Sequence, residues 1–133
     1  MMQSFRQAVE ARDEVAIEAL LADDVVFTSP VAFKPYEGKP ITAAILRGVM
    51  RVFDDFRYTR EIIDGNGRDH ALVFEATVDG KKITGCDFLH LDDEGLIDDF
   101  MVMVRPLSAA TALAEAMGAQ FDRIQREAVE RSS

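Results

Sequence analysis

Between Phe56 and Val104 apolar and polar residues alternate with a period of two, and turn signals cut that alternation into four segments. Successive side chains of a strand point to opposite faces, so this pattern describes strands with one face buried. Phe56 to Ile62 alternates first, and Asp64-Gly65-Asn66-Gly67 then makes a turn. Ala71 to Val78 reads as the next strand, and Asp79-Gly80 is a two-residue hairpin signal. Ile83 to Leu91 follows, then the turn Asp92-Asp93-Glu94-Gly95 and a last strand over Leu96 to Val104. Four consecutive strands with short connections predict a meander. One face of it has to be covered by something else.

The flanking segments supply the cover. Met1 to Glu10 reads as an amphipathic helix, and Asp13 suits the N-cap of a second short helix carrying Val15, Ile17, Leu20 and Leu21. Val25 to Thr28 is a short β-branched and aromatic strand ended by Pro30, and Val31 to Gly38 has no period and reads as a loop. Pro40 sits where a helix tolerates proline, ahead of Ile41, Ile45, Val49 and Phe53 at four-residue spacing. After Pro106, Ser108 can cap a closing helix marked by Leu113, Met117, Phe121 and Ile124. Phe5, Ile17, Leu21, Ile45, Val49 and Phe53 are the natural filling between helices and sheet.

Composition narrows the chemistry. A formal net charge of -9 opposes nucleic-acid binding, which needs clustered Lys and Arg. The acidic residues are dispersed and read as a solvated surface. No apolar run approaches the roughly 20 residues of a membrane span, and no basic segment precedes an apolar one at the start. The single cysteine, Cys86, leaves no intramolecular disulfide, so a cytoplasmic setting is the expectation. Neither metal-ligand spacing nor a Gly-rich phosphate loop is present, so neither metal nor cofactor is expected.

The element order, with Ala22-Asp23-Asp24-Val25-Val26-Phe27-Thr28-Ser29-Pro30-Val31, Gly38 before the third helix, and Gly85-Cys86-Asp87-Phe88 on a strand before an acidic Gly turn, resembles the nuclear transport factor 2-like superfamily. The likeness is closest to its ketosteroid isomerase and SnoaL-like polyketide cyclase branches, and it runs from Phe5 to about Leu107. It implies an α+β fold: a cone-shaped, curved antiparallel sheet with helices covering its concave face, a cystatin-like roll. Residues 1–133 are expected to form one SnoaL-like domain with a frayed tail over 127–133. A small, mostly apolar ligand is expected in the cone, and a homodimer through the convex sheet face.

In the isomerase branch an aspartate before a Pro-Val pair is the general base, and here that position is Ser29. A serine hydroxyl with no base beside it in sequence cannot shuttle a proton as a carboxylate does. The oxyanion-binding tyrosine of the first helix falls on Phe5, which has no hydroxyl. The third element, a strand acid kept protonated by apolar surroundings, matches Asp87. Epoxide-hydrolase-like relatives carry an arginine two residues before that aspartate, where this chain has Gly85. Other relatives pair histidine with aspartate, for which only His70 and His90 are on offer.

Asp87 is therefore the candidate catalytic residue. An acid is out of place in Ile83 to Leu91, and if it faces inward with Ile83, Gly85 and Leu89, desolvation makes it a proton donor. His90 lies three residues on and faces the other way along an extended strand. Glu75, Arg57 and Arg60 have ordinary surface readings. Tyr36 and Tyr58 are the only phenols and could offer a hydroxyl to a ligand. The expected pocket lining is Phe5, Ile17, Leu21, Phe27, Ser29 and Phe33, with Tyr36, Val49, Phe53, Tyr58, Asp87, Phe100 and Val102. If Phe100 faces the pocket, Met101 and Met103 fall on the opposite face and call for a partner. The resulting reading is a cofactor-independent isomerase, cyclase, lyase or hydrolase using Asp87 as acid. Its alternative is a non-catalytic ligand-binding or dimerisation module.

Overall fold

The computed structural model describes residues 4–132, so the start of the expected first helix, Met1–Gln3, and the end of the tail, Ser133, lie outside the described residues. Helix α1 (Phe5–Glu10) opens on a capping box: the Ser4 hydroxyl accepts from Gln7 N, and Ser4 N donates to the Gln7 side chain. Helix α2 (Glu14–Ala19) is capped by Asp13, whose carboxylate accepts from Ala16 N at 3.1 Å. Strand β1 (Leu21–Thr28) is longer than expected and takes Leu21 from the second helix, because Leu21 pairs with Ile97. The following loop contains a two-residue strand, β2 (Tyr36–Glu37), paired with β1. Gly38, at φ 107°, then leads into α3 (Lys39–Val52) with proline in its first turn.

Strands β3 (Asp54–Ile63), β4 (Asp69–Val78), β5 (Lys81–Leu91) and β6 (Ile97–Arg105) form the antiparallel meander that the alternation describes. Asp79 and Gly80 both have positive φ, the geometry of a tight turn matching the twist of paired strands. Helix α4 (Leu107–Ser132) closes the chain, and Ser108 lies in its first turn rather than ahead of it.

The sheet itself corrects the expectation of a cone-shaped, curved antiparallel sheet. Its order is β2-β1-β6-β5-β4-β3, with β2 and β3 left as edges, and β1 runs parallel to β6. It is an open, mixed sheet. Hairpin turns force neighbours to run antiparallel, but β1 and β6 are joined only through α3 and four other strands. Their relative direction follows from where that connection delivers the chain, which side-chain alternation does not encode.

Leu72, Phe74, Ala76 and Val78 on β4 face the helices, as do Ile83, Gly85, Asp87 and Leu89 on β5. The core joins these to Phe5, Ile17, Ala44, Ile45, Leu113 and Ile124 from the helices. Helices α3 and α4 approach closely at Gly48, where a Cβ would stand 2.8 Å from Ile124 Cδ1. Helix α4 runs on past Arg126, and Glu127 ties that part of it to α3. Its carboxylate accepts from Arg47 Nε at 2.7 Å and lies 3.1 Å from Arg51 Nη1 and 3.0 Å from Arg123 Nε. Burial alone would raise the Glu127 pKa, but the Arg47 hydrogen bond and the charges of Arg51 and Arg47 lower it. Among the described residues no helix is long and apolar enough to cross a membrane.

Arg47 is buried between two carboxylates, Glu127 at 2.7 Å and Glu18 at 3.5 Å, so removing Glu127 takes away the nearer partner and its hydrogen bond. Glu127→Ala should lower stability by about 2 kcal/mol in urea unfolding at neutral pH, the scale of a lost hydrogen bond to a charged group. A loss within about 0.5 kcal/mol, typical of an exposed site, would show that apolar packing alone holds α4.

Candidate functional site

A cavity of about 190 Å³ lies between the helices and the inward face of the sheet. Its polar feature is set by register. Asp87 stands opposite Leu72 and Val102, and Gly85, one inward step away, stands opposite Phe74 and Val104. All are therefore inward positions of central strands. Tyr58, opposite Phe74 on β3, reaches across and donates its hydroxyl to Asp87 Oδ2 at 2.8 Å. Two bulges in β3 precede and follow this residue, with Asp55 at φ 53° in the first, and Phe56 and Tyr58 both line the cavity. Gly85 is required by the ring of Phe74, since a Cβ there would fall 2.3 Å from Phe74 Cζ and 2.9 Å from the Met103 carbonyl.

Burial governs the electrostatics. Desolvation pushes Asp87 up to about 7, with the Tyr58 hydrogen bond acting in the opposite direction. Tyr58 is raised well above its ordinary value, first by burial and then by the Asp87 charge, so it remains a neutral donor. Cys86 is raised by burial and by the same charge, which is the reverse of thiolate activation.

The structure brings Phe5, Ile17, Phe27, Ser29 and Val49 to this cavity, along with Phe53, Tyr58, Asp87, Phe100 and Val102. Three expected lining residues are elsewhere. Leu21 is wholly buried in the core as a β1 residue. Phe33 is 99% exposed at the tip of the loop before β2, where no neighbour fixes it. Tyr36 belongs to the edge strand β2 and packs its ring against Phe121 of α4, with centroids 6.5 Å apart.

Sequence reasoning missed Glu10 and Arg12, which line the cavity while exposed and so stand at its mouth. Arg12, at φ 54°, donates to the Met50 carbonyl at 2.9 Å and ties the turn between α1 and α2 to α3. The only signal was the helix break at Asp13; charges beside such a break read as solvated. Phe56 and Phe74 were also missed as lining, and their rings stack with centroids 4.9 Å apart.

Other polar candidates lie apart from the cavity. Glu75 pairs with Arg57 at 2.9 Å on the opposite sheet face, and Arg60 is exposed. His90 Nδ1 lies 2.6 Å from Asp98, and that hydrogen bond raises the imidazole pKa. His70 Nε2 is 2.9 Å from the Gly67 carbonyl at a turn. Among the described residues no group of three or more His, Cys, Asp or Glu side chains could hold a metal ion.

The profile of the SnoaL-like domain family matches residues 2–100. A steroid delta-isomerase from Pseudomonas aeruginosa is 40% identical, with 92% of this chain and 89% of that one covered and a TM-score of 0.85. An uncharacterized protein with a cystatin-like fold from Silicibacter pomeroyi DSS-3 is 37% identical, covering 92% and 88%, at 0.84. An NTF2-like protein of unknown function from Cytophaga hutchinsonii is 22% identical, covering 77% and 84%, at 0.58, a likeness of fold alone. No curated protein matches the chain.

The Asp87 pKa carries a stability signature. The folded-state value, about 7, lies above that of an unfolded aspartate. The stabilising share of the neutral carboxyl is therefore complete below about pH 4 and is lost as pH rises through about 7. Asp87→Asn is neutral throughout. Its stability relative to wild type should rise by a few kcal/mol, as an order of magnitude, between about pH 4 and pH 8 in urea unfolding. A flat difference would mean that the carboxyl is hydrated in the folded state.

Proposed function

This chain belongs to the SnoaL-like domain family, and from that premise we propose that its cavity binds a small, mostly apolar molecule through a carbonyl oxygen held by Asp87 and Tyr58. The observation that carries the reading is a buried carboxyl of pKa about 7, hydrogen-bonded to a phenol inside a mostly apolar cavity. Near neutrality a large share of such a carboxyl is protonated and can donate. Burial keeps Tyr58 neutral, and its one hydroxyl proton, given to Asp87 here, serves as a second donor when it turns from Asp87 to the ligand oxygen. A protonated carboxyl held in place, joined by the phenol once it turns to the ligand, favours the oxygen of an enol or enolate over that of a ketone, which lowers the barrier to enolisation. The chemistry in view is a cofactor-independent isomerisation, cyclisation or hydrolysis with Asp87 as the acid.

The Pseudomonas aeruginosa relative is named for steroid isomerisation, and this chain departs from the isomerase pattern at two places. Ser29 stands at the base position and Phe5 at the phenol position, and both line the cavity. That favours a second reading, a binding module in which Asp87 only orients the ligand's polar end. Titration with a carbonyl-¹³C-labelled cyclic enone, in D₂O, separates the two. Binding should shift the carbonyl resonance downfield, and Asp87→Asn should weaken binding about tenfold, as expected for one hydrogen bond to a buried group. Exchange of the ligand's acidic C–H for deuterium, lost in Asp87→Asn, marks the enzyme; binding without exchange marks the module. A carbonyl resonance that does not move overturns both.

The same reading includes a homodimer through the sheet face turned away from the helices. Val73, Cys86 and Met103 stand in one cross-strand row there, and Ala71, Phe88 and Met101 in the next. Met103 is 54% exposed and Phe88 37%, an apolar centre that a solvated sheet face would not keep. Sedimentation should show a dimer of the 14.8 kDa chain, and Met103→Glu should shift it to monomer. A monomeric wild type at all concentrations would overturn this contact.

A further inference from the structure

We infer that the ligand of this cavity is a ketone built on a single ring, and that skeletons of four fused rings are excluded. The inference rests on the carbonyl-binding reading and adds a size limit to it. The cavity measures about 190 Å³. An apolar cavity of about 150 Å³ accommodates one benzene molecule, whereas pockets for drug-sized ligands begin near about 300 Å³. The enclosed space therefore suits one ring with its substituents.

The walls are not free to retreat. Phe53, Phe56 and Phe74 form one contacting group of rings, with centroid separations of 4.9 to 5.7 Å. Phe5, Phe27 and Phe100 form another, with Phe100 touching both partners at 5.2 and 5.3 Å. Phe74 and Phe100 are each 1% exposed, and Phe74 already occupies the space that Gly85 leaves. A close-packed interior meets extra volume with strain rather than easy displacement.

Growth toward the mouth is opposed by different means. An apolar skeleton leaving the cavity must pass Glu10 and Arg12, displacing water from two charged side chains. Widening that passage breaks the Arg12 bond to the Met50 carbonyl. A polar substituent can extend there, but further fused rings cannot do so without that cost. Met117, a flexible and partly exposed lining residue of α4, is the softest wall.

The experiment titrates the full chain with cyclohex-2-enone, a two-ring enone and a four-ring enone, followed by amide and methyl NMR shifts, in wild type, Asp87→Asn and Met117→Ala. The single-ring enone should saturate wild type, lose about tenfold in affinity in Asp87→Asn, and outcompete the four-ring enone. Met117→Ala should improve two-ring binding roughly tenfold, the scale of removing a small steric block. Four-ring binding as tight as single-ring binding, still weakened by Asp87→Asn, overturns the size limit and leaves the carbonyl reading standing. Single-ring binding indifferent to Asp87→Asn, with the four-ring compound excluded, keeps the size limit and removes the carbonyl reading. Binding of none of the three overturns both.

Discussion

A carboxyl group at an inward position of a central strand is largely cut off from water, because strands flank it on both sides and helices close much of the space above. Asp87 is in that position, between Leu72 and Val102. An ionised carboxylate there would lose several kcal/mol of solvation, and among the described residues no cation pairs with it in return. The fold resolves the conflict by letting the group remain protonated over much of the neutral range and by supplying one hydrogen bond from Tyr58. Much of the surrounding sequence follows from accommodating that pair. The bulges in β3 accompany the phenol, Gly85 makes room for the ring beside it, and the rings of Phe53, Phe56 and Phe74 exclude water.

The second buried ionisable side chain in this half of the molecule is handled in the opposite way. Arg47 cannot shed its proton, so it needs a partner. Glu127 reaches it from the far end of α4 and is shared with Arg51 and Arg123. Neutralisation by pairing locks two helices together, whereas neutralisation by protonation leaves a group free to exchange a proton. That difference separates a structural charge from a reactive one. It explains why a network with more members, built on the other buried charge found among the described residues, is not the candidate site.

The strand pattern was the most legible part of the chain, since one buried face writes itself into every second residue from Phe56 to Val104. Alternation also puts Asp87 on the same parity as Ile83 and Leu89, and all three are buried. What alternation cannot carry is direction between strands distant in sequence, and the parallel pairing of β1 with β6 was missed for that reason. Apolar character likewise does not distinguish a cavity wall from a packed core, which is how Leu21 was misplaced. Phe33 and Tyr36 failed differently: loop aromatics were assigned by likeness to relatives, and no periodic element fixed their direction. Glu10 and Arg12 were invisible because a charged residue at a helix end has the same sequence signature whether it meets bulk water or a cavity mouth.

The pair at the bottom of the cavity also limits the chemistry this chain can perform. A carboxyl with a pKa of about 7 exists in both forms near neutrality, but in any one molecule it is either donor or acceptor. When protonated it can hold a ligand oxygen together with Tyr58, and the proton leaving carbon must then find another base. Ser29, standing where the isomerase branch carries that base, cannot serve. When ionised, Asp87 can accept a proton, but it then holds the Tyr58 hydroxyl and repels developing negative charge on the ligand. With Glu10 out at the mouth, the inner end of the cavity has one carboxyl and can run a two-step exchange, in which the same group takes a proton and returns it, with both steps slowed by sharing one acid. A site tuned by burial alone suits ligands whose C–H bonds are already acidic. It suits poorly those that need a strong base and a strong acid in the same step.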